Sequence, residues 1–245
     1  MDKVKEFYLN GTYFENNPSW DSGDAQWKFP KLQRAFLKIP INVGDKIIEI
    51  GCGGGELLKL FAKKYQNLQF EGWDIAPQAE RFWKTDIKNI QFQVGDFILN
   101  ERNSKSRAML LIDVLEHVAD PVNFLSSLRD KTDYILIHLP LDMTSINALL
   151  DGRLIEMRLK VGHIHYFTRR LGLQMIKDAG FEILESSFTH AWVDSPQLTP
   201  VGRVFRLLRS MISFFSPDLN ARLLGGETLI VLCRPLPKLL RRGEV

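Results

Sequence analysis

The stretch IIEIGCGGGELL, residues 47–58, holds the most chemically specific pattern in the chain: an apolar run, an acid, and a cluster of glycines. Glycine is needed where a chain turns tightly or where bare backbone must approach a ligand. A dinucleotide loop requires G-x-G-x-x-G, but the third residue past Gly53 is Glu56. A P-loop closes on Gly-Lys, where this chain has Glu56-Leu57. What stands here is acid-x-G-x-G-x-G, formed by Glu49, Gly51, Gly53 and Gly55, with Cys52 inside the loop. Glu49 and Glu56 would repel a pyrophosphate and attract a cation. A ligand carrying a sulfonium and an ammonium meets that sign.

Further acids fall at successive strand ends. Asp74 closes FEGWDI, where a carboxylate accepts hydrogen bonds from ribose hydroxyls. Asp96 follows the third strand in VGDF, placed to accept from an adenine amino group, with Ile75 and Phe97 as apolar faces for the ring. Asp113, at the end of the fourth strand, completes the binding set. Any one of these acids alone fits a surface turn better than a site; jointly, and with the glycine loop, they point to a binding crevice.

Histidine is the side chain suited to proton transfer near neutrality. His117 follows the fourth strand, His138 ends the fifth, and His163 and His165 share a face if their segment is extended. Each also has a structural reading, lining or packing without chemistry. His138, Asp142, His163 and His165 are suitable metal-ligand types, but their spacing matches no established ligand pattern, and no metal is assigned.

The elements that position these residues alternate. β-rich runs at 46–50, 69–74, 90–94, 108–113 and 134–139 are separated by helical patterns at 56–65, 77–83 and 121–128. Such alternation predicts an α/β fold, a Rossmann-like, mostly parallel sheet with helices on both faces. Residues 31–38 open a short helix that Pro40 ends, whereas residues 1–29 are aromatic and turn-rich without periodicity. Beyond Pro140 the pattern predicts a helix over 144–160, a helix ending at Gly180, a strand near 181–187, a helical insert over 200–224 and a last strand at 228–233.

The 245 residues suit a single domain, divided into an N-terminal cap (1–42), a cofactor core (43–140), a helical acceptor-side region (141–180), the last two strands with an insert at 198–224 (181–234), and a basic tail (235–245). Hydrophobic residues at 45% and charged residues at 25% exclude a disordered or collagen-like chain. Two cysteines make neither a disulfide framework nor a zinc cluster. No apolar run approaches the roughly 20 residues of a membrane span, and the N-terminus lacks a signal peptide's apolar core, so a cytoplasmic protein is expected.

Residues 46–139 resemble the class I S-adenosylmethionine-dependent methyltransferases. DVLEHVADP (113–121) and GHIHYFTRR…AGFEI are similar to the branch that includes ubiquinone-biosynthesis-like O-methyltransferases. SWDSGDAQWK and HLPLD are similar to strings in bacterial methyltransferases of this type. The resemblance implies a seven-stranded sheet with the last strand antiparallel beside the fifth, S-adenosylmethionine as cofactor, and transfer to oxygen of a small or carrier-linked acceptor. A sugar or glycan precursor is the first acceptor class, and a quinone-like or phenolic lipid the second. A non-catalytic cofactor-binding protein is the rival reading. His117, His165 and His138 are then the candidate bases, with Trp20, Trp27, Tyr13 and Phe14 a candidate cap. Where amino-directed nucleic-acid methyltransferases carry [DNS]-P-P-[YF], this chain has Asp113-Val114-Leu115-Glu116, which argues against a nucleic-acid substrate.

The helical insert departs from the minimal family fold. Residues 199–245 hold eight basic residues against three acids, a surplus of five in a chain of net +3, which leaves the remainder at −2. In residues 202–215, Gly202, Arg203, Arg206, Arg209, Ser210 and Ser213 fall within an arc of about 120°, with the apolar residues opposite. Three readings stand: a helix packed on the body with its arginines in water, a lid over the acceptor, or a helix lying on the inner membrane face, helped by Arg241 and Arg242.

Overall fold

In chain order the elements of the computed structural model are α1 (Lys3–Leu9), α2 (Thr12–Asn16), α3 (Asp24–Phe36), β1 (Lys46–Ile50), α4 (Glu56–Lys64), β2 (Gln69–Asp74), β3 (Ile90–Val94), β4 (Ser106–Ile112), α5 (Pro121–Leu128) and β5 (Thr132–Pro140). There follow α6 (Ser145–Leu149), α7 (Gly152–Lys160), α8 (Arg169–Asp178), β6 (Phe181–Phe188), α9 (Ala191–Asp194), α10 (Pro200–Phe215), α11 (Pro217–Leu223) and β7 (Thr228–Pro235). Two 3-10 turns, Pro77–Phe82 and Leu115–His117, complete the pattern. The structure describes residues 3–20, 22–100, 105–194 and 200–237, and the side chains of these except residues 3 and 200–203.

The strands form one seven-stranded sheet in the order β3-β2-β1-β4-β5-β7-β6. The first five are parallel, and β7 runs antiparallel between β5 and β6. Alternation along β1 assigns the two faces: Ile47 packs with Phe36, Leu58 and Phe61 under α3 and α4, while Ile48 and Ile50 pack with Leu125, Ile176 and Phe181 under α5 and α8. Both faces of the inner strands are therefore apolar, as a parallel sheet covered on two sides requires. Strand order reverses between β1 and β4, and a ligand crevice opens at the carboxyl ends of strands at such a point.

Three local expectations are corrected. The unpatterned N-terminal segment is helical, in short pieces, and α3 begins at Asp24 and carries Pro30 in its interior. The lost backbone bond at Pro30 is offset by burying Ala25, Leu32, Ala35 and Phe36. The single helix over 144–160 is two, because Leu150 leaves helical geometry (φ −120°, ψ 68°) ahead of Gly152, a poor interior residue. No helix among the described residues is long and apolar enough to cross a membrane.

The two-sided insert helix α10 is oriented opposite to both the packed and the lid readings. Arg206 donates to the Val193 carbonyl and Arg209 to the Leu224 carbonyl, so these arginines face the body. Leu207, Met211, Phe214 and Phe215 face outward, the last two more than four-fifths exposed. No described side chain of α10 lines either main cavity. The side chains of Gly202 and Arg203, and Arg241 and Arg242, lie outside the description.

Buried Glu227 anchors the insert, accepting from Asn220 Nδ2 at 2.7 Å and Trp192 Nε1 at 2.9 Å. Glu227→Ala leaves those donors unpaired. It should cost about 2–3 kcal/mol in urea unfolding, while a wild-type midpoint in the variant would show that the anchor does not hold the insert.

Candidate functional site

The glycine loop leaves β1 by bonding its first two amides, Gly51 N and Cys52 N, to the Trp73 carbonyl of the neighbouring strand. Gly51, Gly53 and Gly55 all take left-handed φ (73°, 50° and 75°). At Gly53 space is also limiting, because an added Cβ would lie 2.4 Å from Nε1 of Trp20. The register that pairs Ile50 with Trp73 sets Asp74 beside the loop. Its carboxylate accepts from Gly53 N and Ala76 N, both at 2.8 Å. Burial pushes the Asp74 carboxyl up to about 6 against the pull of those two amides. Glu49, next to the end of β1, is buried, and its Oε2 has no hydrogen-bond partner among the described residues. Burial first, and the Asp74 charge next, push it up to about 8.

Two cavities open above this edge. One, of about 460 Å³, is lined by Asp74, Ile75, Asp96, Phe97 and Ile98 among others. The second, of about 350 Å³, is lined by Glu49, residues 51–57, Asp113, Glu116, His138 and His163. Gly51, Asp113, His117, Tyr13 and Trp20 border both. All ten residues expected to bind the cofactor thus come together at one edge. Asp96, the expected adenine acceptor, is engaged by Lys5 Nζ at 2.6 Å and by Ile98 N at 2.9 Å.

The expected bases separate. Asp113 sits at a left-handed φ of 54°, which aims its carboxylate between Lys28 Nζ (2.8 Å) and His138 Nδ1 (2.6 Å). Burial opposes its charge, but His138 and Lys28 outweigh burial and hold it well below the usual range. His138 is buried with both nitrogens engaged, the second by Thr228 Oγ1 at 2.9 Å, which fits it to orient Asp113. His165 is not brought to the site. It lines neither cavity, and its Nε2 lies 3.3 Å from the Ala119 carbonyl. His117 is brought in: its Nδ1 meets Tyr8 Oη at 2.8 Å, and burial, then His163, lower its pKa to about 4, so it is a neutral imidazole at pH 7. The ring of His163 stands 4.8 Å from that of His117, with Nδ1 on Asp142 Oδ2 at 2.9 Å.

The crevice suits an adenosine that also carries a cation: an apolar slot edged by acids, and next to it an orphaned buried carboxyl oxygen on Glu49. The comparisons agree. A methyltransferase-domain family model matches residues 24–186, more than half of the chain. The chain belongs to the class I S-adenosylmethionine-dependent methyltransferases. It is 28% identical over 111 residues to a ubiquinone biosynthesis O-methyltransferase of Actinobacillus pleuropneumoniae serotype 7 (strain AP76), covering 41% of this chain and 47% of that protein. It is also 28% identical over 133 residues to a Papaver bracteatum protein named Probable (S)-tetrahydroprotoberberine N-methyltransferase 2, covering 51% of this chain and 35% of that one. The chain thus spans less than half the length of either relative. A crystal structure of coclaurine N-methyltransferase with N-methylheliamine and S-adenosylhomocysteine superposes with TM-score 0.58 at 12% identity, over 84% of this chain and 72% of that one. S-adenosylmethionine is the family's cofactor, and Glu49, Asp74 and the glycine loop are the residues that would hold it here.

Sequence reasoning missed Lys5, Tyr8, Lys28 and Glu116. The first three lie in a segment without periodicity, and nothing local marks a lysine as the partner of an acid 85 residues away. Glu116 carries a readable signal, an acid between Leu115 and His117 in a turn that is buried.

A cationic ligand favours ionised Glu49, so binding should release a proton near pH 7. S-adenosylmethionine affinity should rise between pH 6 and 8.5, and calorimetry in buffers of different ionisation enthalpy should detect that proton. Because Glu49 is raised above its unfolded value of 4.5, the free protein loses stability as pH climbs from there to about 8, where the loss is complete. Glu49→Gln should therefore raise the thermal midpoint at pH 8 while weakening cofactor binding by about tenfold or more. Affinity that is flat with pH in the wild type would refute this role.

Proposed function

We propose that this methyltransferase transfers the S-adenosylmethionine methyl group to a hydroxyl of a small or carrier-linked acceptor, with a sugar or glycan precursor as the favoured class. The observation that carries the reading is the chemistry of the second cavity. Lys28 offers a donor there, while Glu116, Asp113 and neutral His117 offer acceptors within one space bordering the cofactor crevice. A polyhydroxylated acceptor can satisfy such a mixed wall, whereas an apolar amine or a bare phenol would strand several of these groups.

The cofactor supplies an electrophilic methyl on a good leaving group. The chain's residues align the acceptor oxygen with it and relieve that oxygen of its proton. His117 and Glu116 face the space from which a hydroxyl proton must leave. Cys52 takes no part as a nucleophile, since burial first, then the Asp74 and Glu49 charges, push its thiol well above the usual range. Trp20, Tyr13 and Trp27 border the same space, supporting the reading of the N-terminal aromatics as a cap that excludes water.

A carrier-linked acceptor is favoured by the outward apolar face of α10 and by exposed Leu149 of α6, Leu150 just after it, and Ile155 and Leu159 of α7. Arg153, Arg158 and Lys160 are exposed on α7, and the Arg153 charge acts on Arg209 of α10, so the helices are neighbours. An apolar face bordered by cations suits an anionic lipid surface.

With S-adenosylmethionine and a panel of glycan-type hydroxyl, phenolic and amine acceptors, the expected product is a methyl ether on a glycan-type hydroxyl, identified by mass and NMR. Methylation confined to amines or phenols would sink this reading. Sedimentation should show binding to vesicles containing anionic lipid, and the double change Phe214→Glu, Phe215→Glu should weaken it by about tenfold with cofactor affinity unchanged. Equal sedimentation of both proteins would remove the membrane part.

A further inference from the structure

We propose that Glu116, His117 and His163 form a binding site for one divalent transition-metal ion at the wall of the second cavity, leaving open positions for neighbouring hydroxyls of the acceptor. The role for the acceptor rests on the hydroxyl reading above; the binding of the ion does not.

The geometry begins with the backbone. The carbonyl of Glu116 accepts from Ile164 N at 2.9 Å and His165 N at 3.1 Å, which clamps the GHIHY segment against the turn after β4. That clamp brings His163 to residues 46 or more positions earlier in the chain. One ligand atom from each of Glu116, His117 and His163 then lies within 4.8 Å of the others, and Glu116 Oε1 is 3.8 Å from His117 Nε2. A metal at about 2.0–2.2 Å from each ligand needs them roughly 3–3.5 Å apart, so side-chain rotations of about an ångström close the site.

Two independent features point to a ligand. Glu116 is fully buried, and beyond its own backbone N–H neither of its carboxyl oxygens has a hydrogen-bond partner among the described residues, an arrangement that is costly unless something outside the chain completes it. The two imidazoles are also held as metal-binding imidazoles are. His163 donates its Nδ1–H to Asp142 Oδ2 at 2.9 Å, which turns the Nε2 lone pair inward. Tyr8 donates to the Val161 carbonyl at 3.3 Å, and its oxygen is free to accept from His117 Nδ1 at 2.8 Å; the Gly162 backbone also bonds to this ring, and Nε2 lies 3.8 Å from Glu116 Oε1. Partners on the outer nitrogen of each ligating histidine fix the tautomer and the ring plane.

Two histidines and one carboxylate on one side, with open positions opposite, suit Zn²⁺ or Mn²⁺ better than Ca²⁺ or Mg²⁺, which prefer all-oxygen shells. With the ion bound, His117 and Glu116 act through it. The ion lowers the cost of ionising the hydroxyl it holds, the oxygen–carbon bond forms as the sulfur–carbon bond breaks, and the hydroxyl proton leaves to solvent. No oxidant or reductant is involved.

The test uses untagged protein stripped with chelator, titrated with Mn²⁺ by EPR and with Zn²⁺ by calorimetry, without cofactor or acceptor. One ion per chain is expected, with affinity reduced at least tenfold in His163→Ala and in Glu116→Gln and unchanged in His190→Ala. Near-ultraviolet circular dichroism and S-adenosylmethionine binding check that each variant is folded, and His163→Ala carries the test if Glu116→Gln is not. No binding at millimolar metal, or binding indifferent to His163, overturns the site. Site-dependent binding supports it even if no hydroxyl is ever methylated. Methyl-ether formation that is indifferent to chelation overturns the metal's catalytic role while leaving the hydroxyl reading intact.

Discussion

Four carboxyl groups crowd the carboxyl edge of one sheet, those of Glu49, Asp74 and Glu116 buried and that of Asp113 partly so. Charge is expensive there, and like charges make it more so. Each acid meets the constraint differently. Asp74 is held by two backbone amides, and Asp113 by Lys28 and His138. Glu49 and Glu116 keep oxygens without partners. The first two acids are completed by the fold itself. Burial pushes the other two carboxyls up, and both line the same cavity, one by the glycine loop and one by the histidines, where a bound ligand can complete them.

This makes the N-terminal segment part of the site. Lys28 of α3 supplies the cation that lets Asp113 remain charged, Lys5 of α1 holds Asp96, and Tyr8 holds His117. Trp20 closes over Gly53 and is itself held among Tyr13, Phe14 and Phe82. A ligand in the larger cavity must therefore share Asp96 with Lys5 or displace it. The same helix carries Tyr8, so events at the adenine end of the crevice reach the acceptor end through one short, half-exposed element. Such an element, with few buried contacts, is where local opening is cheapest.

The sheet was legible because its strands are short, largely apolar runs separated by helical periods, and because the strand ends carry acids around a glycine loop. Those are local signals. The acceptor side was legible only in part, because its geometry depends on long-range clamps. The bonds from residues 164 and 165 to the Glu116 carbonyl select His163 and turn His165 away. Sequence spacing treats the two histidines as equivalents on one face. Likewise His138, at a strand end beside the crevice, has the position of a base, but Asp113 and Thr228 use both its nitrogens.

The insert carries the same lesson in its charges. Two-sidedness at helical period identifies a face without saying which way it turns, and an apolar face normally turns inward. Here carbonyls at the ends of α9 and α11 stand in the way of an apolar contact. Val193 and Leu224 present oxygens that need donors, and Arg206 and Arg209 supply them. Once those arginines are drawn inward, the helical period forces Leu207, Met211, Phe214 and Phe215 outward. The basic surplus of the last fifth of the chain is therefore partly spent inside the fold, satisfying backbone. The feature left outside for a partner to meet is apolar, with α7 contributing the nearby charge.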